Sequence, residues 1–170
     1  MKQSPAVLTA LLAALVVAGC GGSASPASSP ATSGSSAATV QVATKNVPGL
    51  GQVLVNDNGL TLYSFVPDKH SKVTCVGACA AVWPPLMAAS GQKLVATGQA
   101  KSSLLGSDPD PSGGQVVTYN GWPLYTYVTD TSPGQAKGQA LNLNGGLWYV
   151  LSPSGAVIHT KPTSSGGSGY

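Results

Sequence analysis

An eleven-residue phrase occurs twice in this chain, 62 positions apart, and it constrains the fold more than any other feature. The first copy is Asn58-Gly59-Leu60-Thr61-Leu62-Tyr63-Ser64-Phe65-Val66-Pro67-Asp68. The second is Asn120-Gly121-Trp122-Pro123-Leu124-Tyr125-Thr126-Tyr127-Val128-Thr129-Asp130. Six of the eleven positions are identical, and Ser64/Thr126 and Phe65/Tyr127 are close matches. Self-similarity at a fixed offset means one supersecondary unit used twice, with each copy covering the apolar face of the other.

Each copy opens on Asn-Gly between apolar, β-rich runs. That is a type I′ hairpin signal, because both turn residues need positive φ. Strands are expected over 52–57 and 115–119 before the turns, and over 60–66 and 122–128 after them. Alternation places Tyr63 and Phe65 on one face and Leu60 and Leu62 on the other, with Tyr125 and Tyr127 likewise opposite Trp122 and Leu124. Pro123 puts its strand at an edge or at a start. A further hairpin is expected from 147–151 and 156–159 around Pro153-Ser154-Gly155, and a short helix over 76–82. The fold class is mainly β: a compact two-repeat antiparallel β domain, sandwich or barrel-like, with one short helix.

The N-terminus speaks to location. Lys2 precedes an apolar run of 13 residues, 6–18. That is the length of a signal-peptide core and short of the roughly 20 residues a spanning helix needs. The run closes in Val17-Ala18-Gly19-Cys20, which resembles the bacterial lipobox, where the cysteine thiol is acylated and the chain is cut before it. The resemblance implies a lipoprotein signal peptide at 1–19 and a lipid on Cys20. It also places the protein in the bacterial cell envelope, anchored to the extracytoplasmic face of a membrane. At roughly 0.8 kcal/mol per buried CH₂, several acyl chains hold firmly. Residues 20–45 read as a flexible tether, since Gly, Ser, Ala, Thr and Pro bury too little to offset ordering entropy. The β domain is then 46–160, repeat one at about 46–100 and repeat two at about 101–160, with a disordered tail at 161–170.

Composition mainly excludes. The five acidic residues are all Asp and the eight basic ones all Lys, scattered singly. Without an arginine or a basic stripe, nucleic acid is excluded as a partner. No G-x-S-x-G elbow, Gly-rich phosphate loop or H-E-x-x-H helix occurs, so no catalytic residue, metal site or cofactor is assigned.

With Cys20 acylated, Cys75 and Cys79 remain. Along an extended strand their Cα atoms would lie about 13 Å apart, beyond the roughly 7 Å a disulfide spans. The segment is therefore a turn or helical turn, which Gly77 permits, and an oxidising compartment favours a structural disulfide. The competing reading is a redox or copper site in which His70 or Met87 joins the two thiolates.

The Tyr63–Asp68 and Tyr125–Asp130 phrases resemble bacterial secreted-repeat lipoproteins with a tandem Y-x-[FWY]-x-x-D motif, a largely uncharacterised family. The runs 75–85, 121–125 and 148–155 resemble it too, so the likeness covers about 47–159. It implies an envelope lipoprotein built on tandem repeats and assigns no activity. The motif residues are Tyr63, Phe65, Asp68, Tyr125, Tyr127 and Asp130. The second copy lacks a cysteine pair, so the disulfide lies outside the repeats' common core.

Both aspartates are expected to close turns by accepting backbone N–H bonds, against a second reading as paired glycosidase-type carboxylates. The motif aromatics, with Trp83, Trp122 and Trp148, are read as core packing or as a stacking platform for sugar, quinone or flavin rings. The leading expectation is a non-enzymatic binding or structural envelope module. Its partners would be the membrane, through the lipid anchor, and an envelope protein or glycan. The alternatives are a redox or copper-handling protein using Cys75 and Cys79, and a glycan-binding module using exposed aromatics.

Overall fold

The computed structural model describes residues 39–68 and 72–161. In chain order the strands are β1 (Thr39–Val47), β2 (Gly51–Val55), β3 (Tyr63–Phe65), β4 (Met87–Ala88) and β5 (Lys93–Ala96). There follow β6 (Leu105–Pro109), β7 (Gln115–Tyr119), β8 (Trp122–Pro123), β9 (Leu141–Leu143) and β10 (Gly146–Val150). Among the described residues the one α-helix is α1 (Ala78–Val82). The strands make three sheets, ordered β2-β1-β5, β3-β10-β9 and β4-β7-β6 with β8 also on β7, and none closes into a barrel. The fold is mainly β, as the repeat pattern requires. Its pairings are antiparallel except for β1 with β5, which is parallel.

Residues 39–45, expected at the end of the tether, instead form most of β1. It pairs with β2 from Ala43↔Val55 to Val47↔Gly51, and with β5 from Thr39↔Lys93 to Val42↔Ala96. Val42 is fully buried there. Backbone partners on both edges make a strand of a sequence whose small and polar residues conceal it. Cys20, His70, the segment 1–38 and the tail 162–170 lie outside the described residues.

The two Asn-Gly turns differ. Asn120 and Gly121 both take positive φ, 51° and 78°, and link the facing pair Tyr119↔Trp122 as a two-residue type I′ turn should. In the first copy Gly59 alone of the pair is positive, at 75°. There the Asn56 side-chain oxygen accepts the N–H groups of Asn58 at 3.1 Å and Leu60 at 2.9 Å, which widens the loop into an Asx-closed turn.

The outgoing strands are shorter than expected because each changes partner midway. Thr61 bridges Val55 and Leu62 donates to the Leu54 carbonyl at 2.9 Å, all within repeat one. Tyr63, Ser64 and Phe65 then pair with Val150, Tyr149 and Trp148 of repeat two. The second copy mirrors this. Pro123 faces Thr118 and Leu124 donates to Val117, but Tyr125 bridges Pro85 and Thr126 donates to the Pro84 carbonyl at 2.9 Å, both in repeat one. Each repeat thus lends its closing segment, 83–86 or 148–151, to the other. At the centre Tyr63 and Tyr125 exchange two backbone hydrogen bonds of 2.8 and 3.0 Å, which marks a local two-fold axis.

This interleaving splits the core in two. Val53, Val55, Tyr63, Phe65, Trp83, Tyr125, Trp148 and Val150 belong to one buried cluster. Val42, Leu54, Leu62, Val117, Tyr119, Leu124 and Leu151 belong to the other. Adjacent residues go to opposite clusters, as strand alternation demands. The central segments are therefore buried on both faces and read as unbroken apolar pairs such as Leu62-Tyr63, Leu124-Tyr125 and Val150-Leu151.

Candidate functional site

The motif residues converge on the local two-fold axis. Pro67 fixes φ at the end of the first outgoing strand, and Val66–Asp68 form a single 3-10 turn that carries Asp68 inward to complete burial. Asp130 reaches the same depth in repeat two, 3% exposed. The Tyr63 hydroxyl donates to Asp130 Oδ2 at 2.5 Å, and the Tyr125 hydroxyl donates to Asp68 Oδ2 at 2.7 Å. The tyrosine of each repeat therefore binds the aspartate of the other.

The remaining carboxylate oxygens do close turns, as expected of aspartate. Asp68 Oδ1 accepts the Thr74 N–H at 2.8 Å and its hydroxyl at 2.6 Å, and Asp130 Oδ1 accepts the Lys137 N–H at 3.0 Å. The Tyr63 oxygen also accepts the Gly138 N–H, at 3.2 Å. Among the described residues, every donor on the two carboxylates is neutral. Burial, then the hydrogen bond and the charge of the facing carboxylate, push both tyrosine hydroxyls far above their ordinary range. Burial also raises the Asp68 carboxyl, against the opposing pull of its bonds from Thr74 and Tyr125.

Between the two pairs runs a column of rings. Phe65, Trp148, Trp83 and Tyr127 stack face to face, with successive centroids 4.2, 3.9 and 4.1 Å apart and planes within 18°, 3° and 17° of parallel. The rings come alternately from repeat one and repeat two, and the column is symmetric about its Trp148–Trp83 middle. Tyr63 meets Trp83 edge-on at 5.4 Å, and Tyr125 meets Trp148 edge-on at 5.3 Å. Offset-stacked and edge-on pairs of this kind each add about 0.5–1.5 kcal/mol beyond burial. The space is closed by glycine: a Cβ on Gly138 would lie 2.6 Å from Trp83 Cη2, and one on Gly146 would lie 2.8 Å from Phe65 Cε2.

Tyr63, Phe65, Tyr125, Trp83 and Trp148 are all buried, so they form no exposed platform for a sugar ring. Tyr127 is half-buried at the end of the column, and Trp122 packs half-buried against the second cluster. Both motif aspartates are buried, Asp68 fully and Asp130 to 3% exposed. Cys75 and Cys79 are joined as a disulfide with Cα atoms 5.2 Å apart at the start of α1. Cys75 is 1% exposed within the ring-containing cluster, whereas Met87 lies exposed on β4. The group of His, Cys, Asp and Glu that a metal centre requires does not form among the described residues. A recess of about 310 Å³ lies beside β4 and β5, lined in part by Ser90, Gln92, Ser107 and Gln115, and its lining carries no charge.

Sequence reasoning missed the ring column and the exchange of tyrosines. The duplication held the clue: a Tyr and an Asp five residues apart on a strand cannot reach each other, but two copies related by a two-fold axis can trade. It missed Gln139 as well, which is buried and bonds Val150, Ile158 and Thr160 to close the last hairpin. Segments 40–87 and 108–152 match the model of a family described as a secreted repeat of unknown function. No curated protein and no solved structure matches the chain.

Proposed function

The chain belongs to this family of secreted repeats, and from that premise we propose that it is a lipid-anchored envelope module that works by binding or scaffolding and not by catalysis. The protein is extracytoplasmic, as its family is. The observation that supports a non-enzymatic role is the use of the motif side chains. Tyr63, Asp68, Tyr125 and Asp130 bind one another across the repeats, and Phe65 and Tyr127 cap the ring column. A motif consumed in joining two repeats builds a rigid body and leaves its outer loops to meet a protein or glycan of the envelope. The closed Cys75–Cys79 disulfide, with Cys75 buried in the ring-containing cluster, supports a structural role over a thiol-redox or copper one, because copper-ligating sulfurs would have to be reduced thiolates.

The anchor rests on the Val17-Ala18-Gly19-Cys20 signal. Cys20→Ser is expected to move the protein from the membrane fraction to the aqueous phase in detergent partition and to abolish labelling by radioactive palmitate. A Cys20→Ser protein that stays in the membrane, or a wild-type protein without label, would refute the anchor.

A further inference from the structure

We propose that the ring column and its two Tyr–Asp pairs form a one-electron oxidisable centre, in which a hole taken up at Tyr127 travels through the tryptophans and settles on Tyr63 or Tyr125. Indole and phenol are the protein rings most readily oxidised by one electron, and electronic coupling falls steeply with separation. Tyr127, Trp83 and Trp148 stack with centroids 4.1 and 3.9 Å apart, and each buried tyrosine touches a tryptophan edge-on. Tyr127 is the half-buried member and therefore the entry point.

The placement of proton acceptors decides where the hole rests. The Trp83 indole N–H is buried without a hydrogen-bond partner among the described residues, and that of Trp148 donates to the Leu143 carbonyl at 3.0 Å, a very weak base. An oxidised indole at either place has no base to take its proton. The two tyrosines each face a carboxylate within proton-transfer reach, at 2.5 and 2.7 Å. A high-potential one-electron oxidant, such as an oxidised metal complex, gains one electron. Tyr63 loses it and passes its phenolic proton to Asp130 Oδ2, leaving a neutral tyrosyl radical beside a neutral acid. Tyr125 and Asp68 Oδ2 do the same on the other side. Such a centre goes beyond the scaffolding role and does not depend on the anchor.

The test uses the full chain with its disulfide intact and tris(bipyridine)ruthenium(III) generated by a laser flash. Transient absorption and freeze-trapped electron paramagnetic resonance then follow the radical. Expected are a tryptophanyl signal converting to a neutral tyrosyl one, slower in D₂O, and loss of the long-lived tyrosyl signal in the double variant Tyr63→Phe, Tyr125→Phe. Asp68→Asn with Asp130→Asn is expected to leave the hole on tryptophan, a spectral change that mere loosening of the core does not produce. Tyr127→Phe keeps the stacked ring and both buried pairs, so it guards against misfolding of the buried variants, and it is expected to slow radical formation while preserving the spectrum. A tyrosyl signal unchanged in the double Phe variant, or abolished by Tyr127→Phe, would place the hole on surface tyrosine and overturn the proposal.

Discussion

The two repeats share their exchanged core and differ in how each secures its own aspartate. In repeat one Asp68 accepts three hydrogen bonds from the described residues, two of them from Thr74, which is followed directly by the Cys75–Cys79 disulfide and α1. In repeat two Asp130 accepts two from the described residues, and Gln135 fastens the loop beyond it, with Lys137 Nζ donating to the Thr129 carbonyl at 3.0 Å. Gln135 Oε1 accepts the N–H groups of Thr131 at 2.8 Å and Ser132 at 3.2 Å, and the Gln135 carbonyl accepts the Thr61 hydroxyl at 2.6 Å. A covalent staple and a polar clasp therefore serve the same end. What the repeats hold in common is what they give each other, and their local fastenings are private.

Separating the repeats is expected to have the largest effect. Residues 39–100 expressed alone would lack the partner strand for Tyr63–Phe65, the acceptor for the Tyr63 hydroxyl and half the ring column. Neither repeat is expected to fold as a monomer, and sedimentation with circular dichroism would show an unfolded chain or a dimer. Within the intact protein, Trp83→Ala and Trp148→Ala should each cost about 3–5 kcal/mol in urea unfolding. Trp122→Ala, at a half-buried position outside the column, should cost clearly less.

The two buried phenols limit stability at alkaline pH. Both stay protonated in the fold well above the usual 10.0, whereas the unfolded chain ionises them near that value. Their folded pKa is raised, so their contribution is intact below pH 10 and is lost as pH rises above it. Two groups at about 1.4 kcal/mol per pH unit each give a fall of about 3 kcal/mol per unit. The corresponding rise in tyrosinate absorbance should come in one step with unfolding. Asp68 acts in the same direction at acid pH: its raised carboxyl makes folding more favourable below the unfolded carboxylate value, and that increment is lost as pH rises from there through the raised folded value.

Tyr63→Phe should destabilise more than Tyr125→Phe, each within about 1–3 kcal/mol. The first strips Asp130 to a single donor and orphans the Gly138 N–H, while the second leaves Asp68 its two bonds from Thr74. Equal losses, measured by thermal unfolding, would mean that the loop fastenings carry no weight. Replacing Cys75 and Cys79 by alanine closes the series at about 2 kcal/mol, as expected for so short a loop in the chain-entropy view. A larger loss would show that the staple holds more than its own turn.

Much of this was legible residue by residue. The duplication, the β7 strand, the Asn120-Gly121 turn, the disulfide and the short helix all follow from local chemistry. Alternation also sorted Tyr63 and Phe65 from Leu62, because side-chain period is a property of the strand itself. Partner choice is not. Nothing local in Tyr63-Ser64-Phe65 says that it leaves β2 for β10, since pairing is decided by what the other repeat offers. β1 escaped for a related reason: Thr39–Val47 carries few large apolar groups and owes its strand to neighbours on both edges. The first Asn-Gly turn departed from type I′ because Asn56, two residues earlier, supplies a competing acceptor.

The Tyr63–Tyr125 backbone exchange has an arithmetic consequence. Because every motif gives its tyrosine away and takes one in return, closure depends on parity. Two copies in one chain are complete, as are one copy in each of two chains. Three leave a phenol and a carboxylate buried with no counterpart. Growth of such proteins by tandem duplication should therefore proceed in steps of two, with odd members made whole only by association.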